Sequence, residues 1–161
     1  MSRYAEKTEV TSDRSRAEIE RTLTRYGADQ FLYAWQADTA VIGFRMRGRM
    51  IRLVLQMPDR NDREFRFTPS RNYERSKEAQ QEAYEQACRQ RWRALALLVK
   101  AKLEAVEAGL VELEEEFLSH VVLPDGSTAG DWLRPQISTA YETGRMPAML
   151  PMLPPAREET K

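Results

Sequence analysis

The sequence predicts an α+β fold: a helix, a three-stranded antiparallel meander, a long central helix packed on both sides, then C-terminal helices. Three observations carry this. Residues 30–56 hold three short apolar runs joined by two-residue turns, residues 77–108 hold one unbroken helical pattern, and residues 110–144 hold shorter apolar runs split by turn signals. Residues 1–11 read as a flexible N-terminus, 12–144 as a single α+β domain and 145–161 as a Pro/Met-rich C-terminal tail.

Ser12 or Ser15 can cap the first helix, and Ser15 with Glu18 has capping-box spacing. Ile19, Leu23 and Tyr26 fall on one face, and Gly27 suits the position after the helix. The strand-like runs are Gln30–Trp35, Thr39–Met46 and Arg49–Gln56. A tight turn at Arg47-Gly48 pairs Phe44 with Ile51 and Ile42 with Leu53. A second at Ala37-Asp38 pairs Tyr33 with Ile42 and Trp35 with Ala40. Both registers put Phe31, Tyr33, Trp35, Ala40, Ile42, Phe44, Ile51, Leu53 and Leu55 on one face, which supports a meander. The opposite face carries Leu32, Ala34, Val41, Gly43, Arg45, Met50, Arg52 and Val54, mixed apolar and basic.

A polar connection follows, in which Arg63–Phe67 is expected as a short edge strand. Ser76 caps the long helix and Gly109 ends it. At about 100° per residue, Tyr84, Cys88, Trp92, Leu95, Val99, Leu103 and Val106 form one stripe. Ala79, Ala83, Ala87, Ala94, Leu98, Ala101, Ala105 and Ala108 form a second, roughly opposite. The C-terminal helices are expected to close over this Ala face, because Phe117, Trp132 and Tyr141 need something to cover. The alternative use of the Ala face is the seam of a homodimer. Leu110, Leu113, Phe117 and Leu118 suggest a helix running to about His120. Leu123-Pro124-Asp125-Gly126 signals a turn. Thr128 caps the next helix with Asp131 in the box position, Pro135 is expected to kink or split it, and Gly144 ends it. The tail combines four prolines with Met146, Met149, Leu150, Met152 and Leu153, a composition suited to lying along the body or contacting a partner.

Lys plus Arg and Asp plus Glu each total 25, so a globally basic nucleic-acid binder is not indicated, although a local patch is compatible. Cys88 is the single cysteine, the N-terminal residues lack an apolar segment, and no stretch has the length and apolarity of a membrane span. These features set the expectation of a cytoplasmic protein without membrane association.

No phosphate loop, nucleophile elbow or Cys-x-x-Cys is present, so no enzyme, cofactor or metal is expected. Glu116 and His120 share a helical face at best, short of the three or four ligands a metal needs. Cys88 reads as a buried hydrophobe rather than a reactive thiol. The arginines carry more signal. Arg45, Arg47, Arg49 and Arg52 with Met50 mark the second hairpin, and Arg89, Arg93 and Lys100 mark one flank of the long helix. These eight residues are the candidate surface for nucleic acid or a protein partner, through phosphate contacts in the first case. Trp92 points inward and Arg91 lies on the opposite flank, which divides the Arg-Gln-Arg-Trp-Arg cluster.

The helix–three strands–helix order of residues 13–108 resembles the double-stranded-RNA-binding domain in topology. The Lys-rich start of that family's second helix is here Ser76-Lys77-Glu78-Ala79-Gln80, and the turn Gln36-Ala37-Asp38-Thr39 lacks its histidine. Residues 15–31, 86–109 and 114–137 (SRAEIERTLTRYGADQF, QACRQRWRALALLVKAKLEAVEAG and EEEFLSHVVLPDGSTAGDWLRPQI) resemble small uncharacterised proteins of bacterial prophages and tailed phages. That resemblance implies an early or accessory phage protein acting in the cytoplasm of a bacterial host, and it supplies no catalytic residues. The expectation is therefore a non-catalytic binding protein, nucleic-acid-associated in phage DNA metabolism. The alternative is a protein–protein module that inhibits or adapts a host factor such as a defence component.

Overall fold

A computed structural model describes residues 3–36 and 38–146. Helix α1 spans Arg3–Arg25, strands β1, β2 and β3 span Gln30–Gln36, Thr39–Met46 and Arg49–Gln56, and helix α2 spans Arg63–Arg66. Helix α3 spans Lys77–Glu107, α4 spans Leu113–Glu116, a 3-10 turn covers Leu118–His120, and α5 spans Ala129–Thr143. The architecture is α+β, as the patterning predicts.

The sheet has the order β1-β2-β3, antiparallel throughout, with Tyr33 opposite Ile42, Trp35 opposite Ala40, Ile42 opposite Leu53 and Phe44 opposite Ile51. Every predicted pair is present. Arg47 and Gly48 close the second hairpin with positive φ (49° and 75°), the twist a two-residue turn needs. Ala40, Ile42, Phe44, Met46, Ile51 and Leu53 are buried on the inner face. Against them lie Ile19 and Leu23 of α1 and Cys88, Trp92, Val99 and Leu103 of α3.

The long helix starts where Ser76 Oγ accepts a hydrogen bond from the Ala79 N–H, and Gly109 leaves it with φ +69°. It is flanked on both sides. Arg93 faces Glu18 of α1, whereas Tyr84 meets Phe65 of α2 edge-on and Lys102 meets Glu116 of α4 on the other flank.

Four expectations are corrected. The first helix begins at Arg3 rather than at a Ser12 or Ser15 cap; residues 3–11 hold good helix formers and neither Gly nor Pro. Arg63–Arg66 forms helix α2 instead of an edge strand, which lets Phe65 reach the α3 core, and Phe67 makes only an isolated bridge to Glu74. The helix expected up to His120 breaks into α4 and the 3-10 turn, leaving Leu110 and Leu118 exposed. The C-terminal helices do not close over the Ala face. Phe117 turns into the core against Phe44 (centroids 5.7 Å apart), and α5 packs on the 3-10 turn. Trp132, Ile137 and Tyr141 stay exposed, as do Ala94, Leu97, Leu98 and Ala101.

The C-terminal segment is held by the sheet edge. Val121 bridges Ile51, the Val122 N–H donates to the Met50 carbonyl at 2.8 Å, and the Ala129 N–H donates to the Val121 carbonyl. Helix α5 is set by a complete capping box between Thr128 and Asp131, runs through Pro135 without splitting, and ends at Gly144 in the left-handed region. The tail from residue 147 lies outside the described residues.

Candidate binding surface

The outer face of the sheet carries Arg45, Met50 and Arg52 of the predicted site. Cross-strand rows place Arg45 between Gln30 and Met50, Gly43 between Leu32 and Arg52, and Val41 between Ala34 and Val54. Among the described residues no helix lies over this face, and Leu32 (58% exposed), Val54 (59%), Met50 (36%) and Ala34 face solvent. A Cβ on Gly43 would meet Leu32 Cβ at 3.4 Å and Cδ2 at 3.6 Å, ordinary van der Waals distances, so the Leu32 side chain lies over Gly43 of β2. Between Leu32 and Met50 is a shallow depression of about 390 Å³ above Gly43.

The arginines of this hairpin are largely neutralised by carboxylates from other segments. Arg45 makes a bidentate pair with Asp29 (Nε–Oδ1 2.8 Å, NH2–Oδ2 2.9 Å). This hydrogen bonding holds the Asp29 carboxyl below its ordinary range and raises the Arg45 guanidinium. Arg49 pairs with Glu114 at 2.7 Å, and Arg52 approaches Asp131 at 3.9 Å. Asp131 is held low chiefly by its hydrogen bond from the Thr128 hydroxyl. Arg47, at the tip of the turn, is exposed and has no ion-pair partner among the described residues.

The structure separates the helical arginines from this surface, because α3 packs on the inner side of the sheet. Arg89 bonds Gln86 (2.7 and 3.0 Å) and lies 3.9 Å from Glu85, and Arg93 lies 3.9 Å from Glu18. Lys100 is exposed with no ion-pair partner among the described residues. Arg91, on the opposite flank, donates to the Gln56 carbonyl at 2.7 Å and ties α3 to the end of β3. The eight predicted residues thus fall into two groups, five on the second hairpin and three on α3.

The remaining candidates have structural roles. Trp92 is fully buried, stacks at a tilt on Tyr33 (5.9 Å), and its indole N–H lacks an acceptor among the described residues. Burial pushes the Cys88 thiol up, the environment of an inert cysteine. His120 is half-buried. Burial, followed by the Lys102 charge, lowers its pKa against an opposing effect of the Arg52 backbone. Glu116 turns to Lys102 instead of His120. No cluster of three or more His, Cys, Asp or Glu among the described residues is placed to hold a metal ion. No helix among them is long and apolar enough to cross a membrane. Neither a protein-family model, nor a curated protein, nor a solved structure matches the chain.

Sequence reasoning named this face but ranked its arginines above its apolar residues. Leu32 and Val54 lie outside the predicted set, and their exposure follows from the topology: a three-stranded meander with helices on one side leaves the other side bare.

Proposed function

We propose that the chain is a non-catalytic binding protein whose working surface is the outer sheet face, and that its partner is a protein. The observation that carries this is the exposed patch of Leu32, Ala34, Met50 and Val54, bordered by arginines already matched to carboxylates. An uncovered apolar patch with a polar rim suits a protein partner. Phosphate would first have to displace Asp29, Glu114 and Asp131. The resemblance of residues 15–31, 86–109 and 114–137 to phage proteins supports the particular reading of an accessory phage-type protein that inhibits or adapts a host factor. The test is capture from a nuclease-treated bacterial host lysate, comparing the wild-type chain with Leu32→Asp and Val54→Asp. A stoichiometric protein partner retained by wild type and lost by both folded variants is expected. Capture unaffected by either substitution refutes the surface.

The second reading is nucleic-acid association. It is favoured by Arg45, Arg47, Arg49 and Arg52 standing at one end of the sheet in exposed pairs, which exchange partners at little cost. It requires binding at low salt that falls steeply as salt rises and is removed by Arg45→Glu with Arg52→Glu. Absence of DNA and RNA binding at low salt rejects it.

A further inference from the structure

We infer that β1 is a self-association edge, and that two copies of the chain join β1 to β1 in antiparallel register to form a continuous six-stranded sheet. The two ends of the sheet differ. Two-residue turns make Met46–Arg49 and Gln36–Thr39 hydrogen-bonded pairs, and the Met57 N–H to Asp38 carbonyl bond (2.7 Å) keeps the same phase. By alternation, Met50, Arg52, Val54 and Gln56 turn their backbone groups away from β2 at the β3 edge. At the other edge Phe31, Tyr33 and Trp35 do so. The β3 edge is occupied: the Val122 N–H donates to the Met50 carbonyl, Val121 bridges Ile51, and Arg91 donates to the Gln56 carbonyl. No hydrogen bond among the described residues reaches the outward groups of Phe31, Tyr33 or Trp35.

Edges left open in soluble proteins are normally blunted with charge, proline, a bulge or a cover. Strand β1 reads Gln-Phe-Leu-Tyr-Ala-Trp-Gln, seven residues with no charge and no proline. Its pattern is symmetric about Tyr33: Gln at both ends, aromatics at 31, 33 and 35, aliphatics at 32 and 34. A two-fold axis at Tyr33 therefore sets Phe31 opposite the second copy's Trp35, Leu32 opposite Ala34 and Gln30 opposite Gln36. Like meets like on each face, and no charges oppose. The outward groups of Phe31, Tyr33 and Trp35 supply the hydrogen bonds in that same register. Trp35, now 48% exposed on the inner side, gains an aromatic neighbour. The outer apolar faces of the two copies become one surface.

Sedimentation of the full chain across concentration tests this, with hydrogen exchange read at the same concentrations. The mass should rise from 18.7 kDa toward twice that. The amides of Phe31, Tyr33 and Trp35 should gain protection, at least about tenfold, over the same range. Trp35→Pro leaves the β1–β2 bonds intact, because its N–H points outward, and should hold the chain monomeric. A second readout does not depend on that variant folding. Leu32→Cys mixed with Ala34→Cys should give a cross-linked heterodimer at least about tenfold faster than either protein alone, since 32 and 34 oppose each other while like positions lie beyond disulfide reach. A chain that stays monomeric at all concentrations overturns the inference. So does protection of the three amides without association, or cross-linking indifferent to which cysteines are mixed.

Discussion

Phe117→Ala should be among the most damaging single substitutions in the chain, while Tyr141→Ala should be nearly silent. Phe117 is fully buried, stands edge-on to Phe44 at 5.7 Å and is covered by the Lys102 ammonium at 5.5 Å. Losing a fully buried aromatic ring costs about 2–3 kcal/mol of transfer energy. The edge-to-face pair adds about 1 kcal/mol. The vacated space lies between β2 and the α4 segment, where two short elements cannot collapse fully, so a total of about 3–5 kcal/mol is expected. At about 2–4 °C per kcal/mol for a chain of this size, the midpoint should fall by about 6–20 °C. Tyr141 is 88% exposed, so its removal should change stability by less than about 0.5 kcal/mol. Urea unfolding followed by tryptophan fluorescence and by circular dichroism measures both. Equal losses for the two variants, or a Phe117→Ala loss below about 1.5 kcal/mol, would refute the placement of Phe117 in the sheet core.

Three further outcomes follow from the packing and the charges. His120 has a folded pKa below its unfolded value, so the unfolded chain takes up the proton first as pH falls. Its contribution is present above about pH 6.5 and is lost as pH drops through the folded pKa; the urea midpoint should fall between pH 7.5 and 5.5, and His120→Gln should flatten that slope. The Asp29 carboxyl should titrate below an ordinary aspartate when followed by carboxyl NMR, and Arg45→Gln should return it to the usual range, because the bidentate hydrogen bonds come first among the causes. Thr128→Ala removes a buried cap with both reciprocal bonds made, and should cost about 1 kcal/mol in the same urea assay; no change would show that α5 is set by packing alone.

The sheet was legible because two short turns fix register, and alternation then fixes faces. Tyr33 opposite Ile42 and Phe44 opposite Ile51 need no knowledge of the rest of the chain. The caps at Ser76, Gly109, Thr128 and Gly144 were legible for the same reason, since each acts within a few residues. The Ala face of α3 was misread because periodicity counts stripes without saying what covers them. Trp92 and Val99 had a sheet to meet. Ala94, Leu98 and Ala101 lie in the stripe that α5 is expected to cover on the strength of Trp132 and Tyr141, but Val121 and Val122 hold that segment at the β3 edge instead. A backbone contact made by two valines in an irregular stretch leaves no periodic signal.

The candidate site shows the same limit in charge. The four arginines of the hairpin are visible in sequence as a cluster, but Asp29, Glu114 and Asp131 come from separate segments. Only the fold brings them to the sheet, and they convert a basic patch into a rim of ion pairs. The apolar residues survive that conversion unchanged: nothing among the described residues compensates Leu32 and Val54 as Asp29 compensates Arg45. A neutral chain that matches most arginines of its hairpin and leaves aliphatic side chains bare on the same face has spent its electrostatics internally. On the proposed reading, a protein partner recognises shape and apolar area here, and the β1 edge lies along the margin of that same area. Recognition by this face should therefore depend weakly on salt, in contrast to phosphate binding. The slope of affinity against ionic strength, measured for whichever partner is captured, separates the two readings without a mutation.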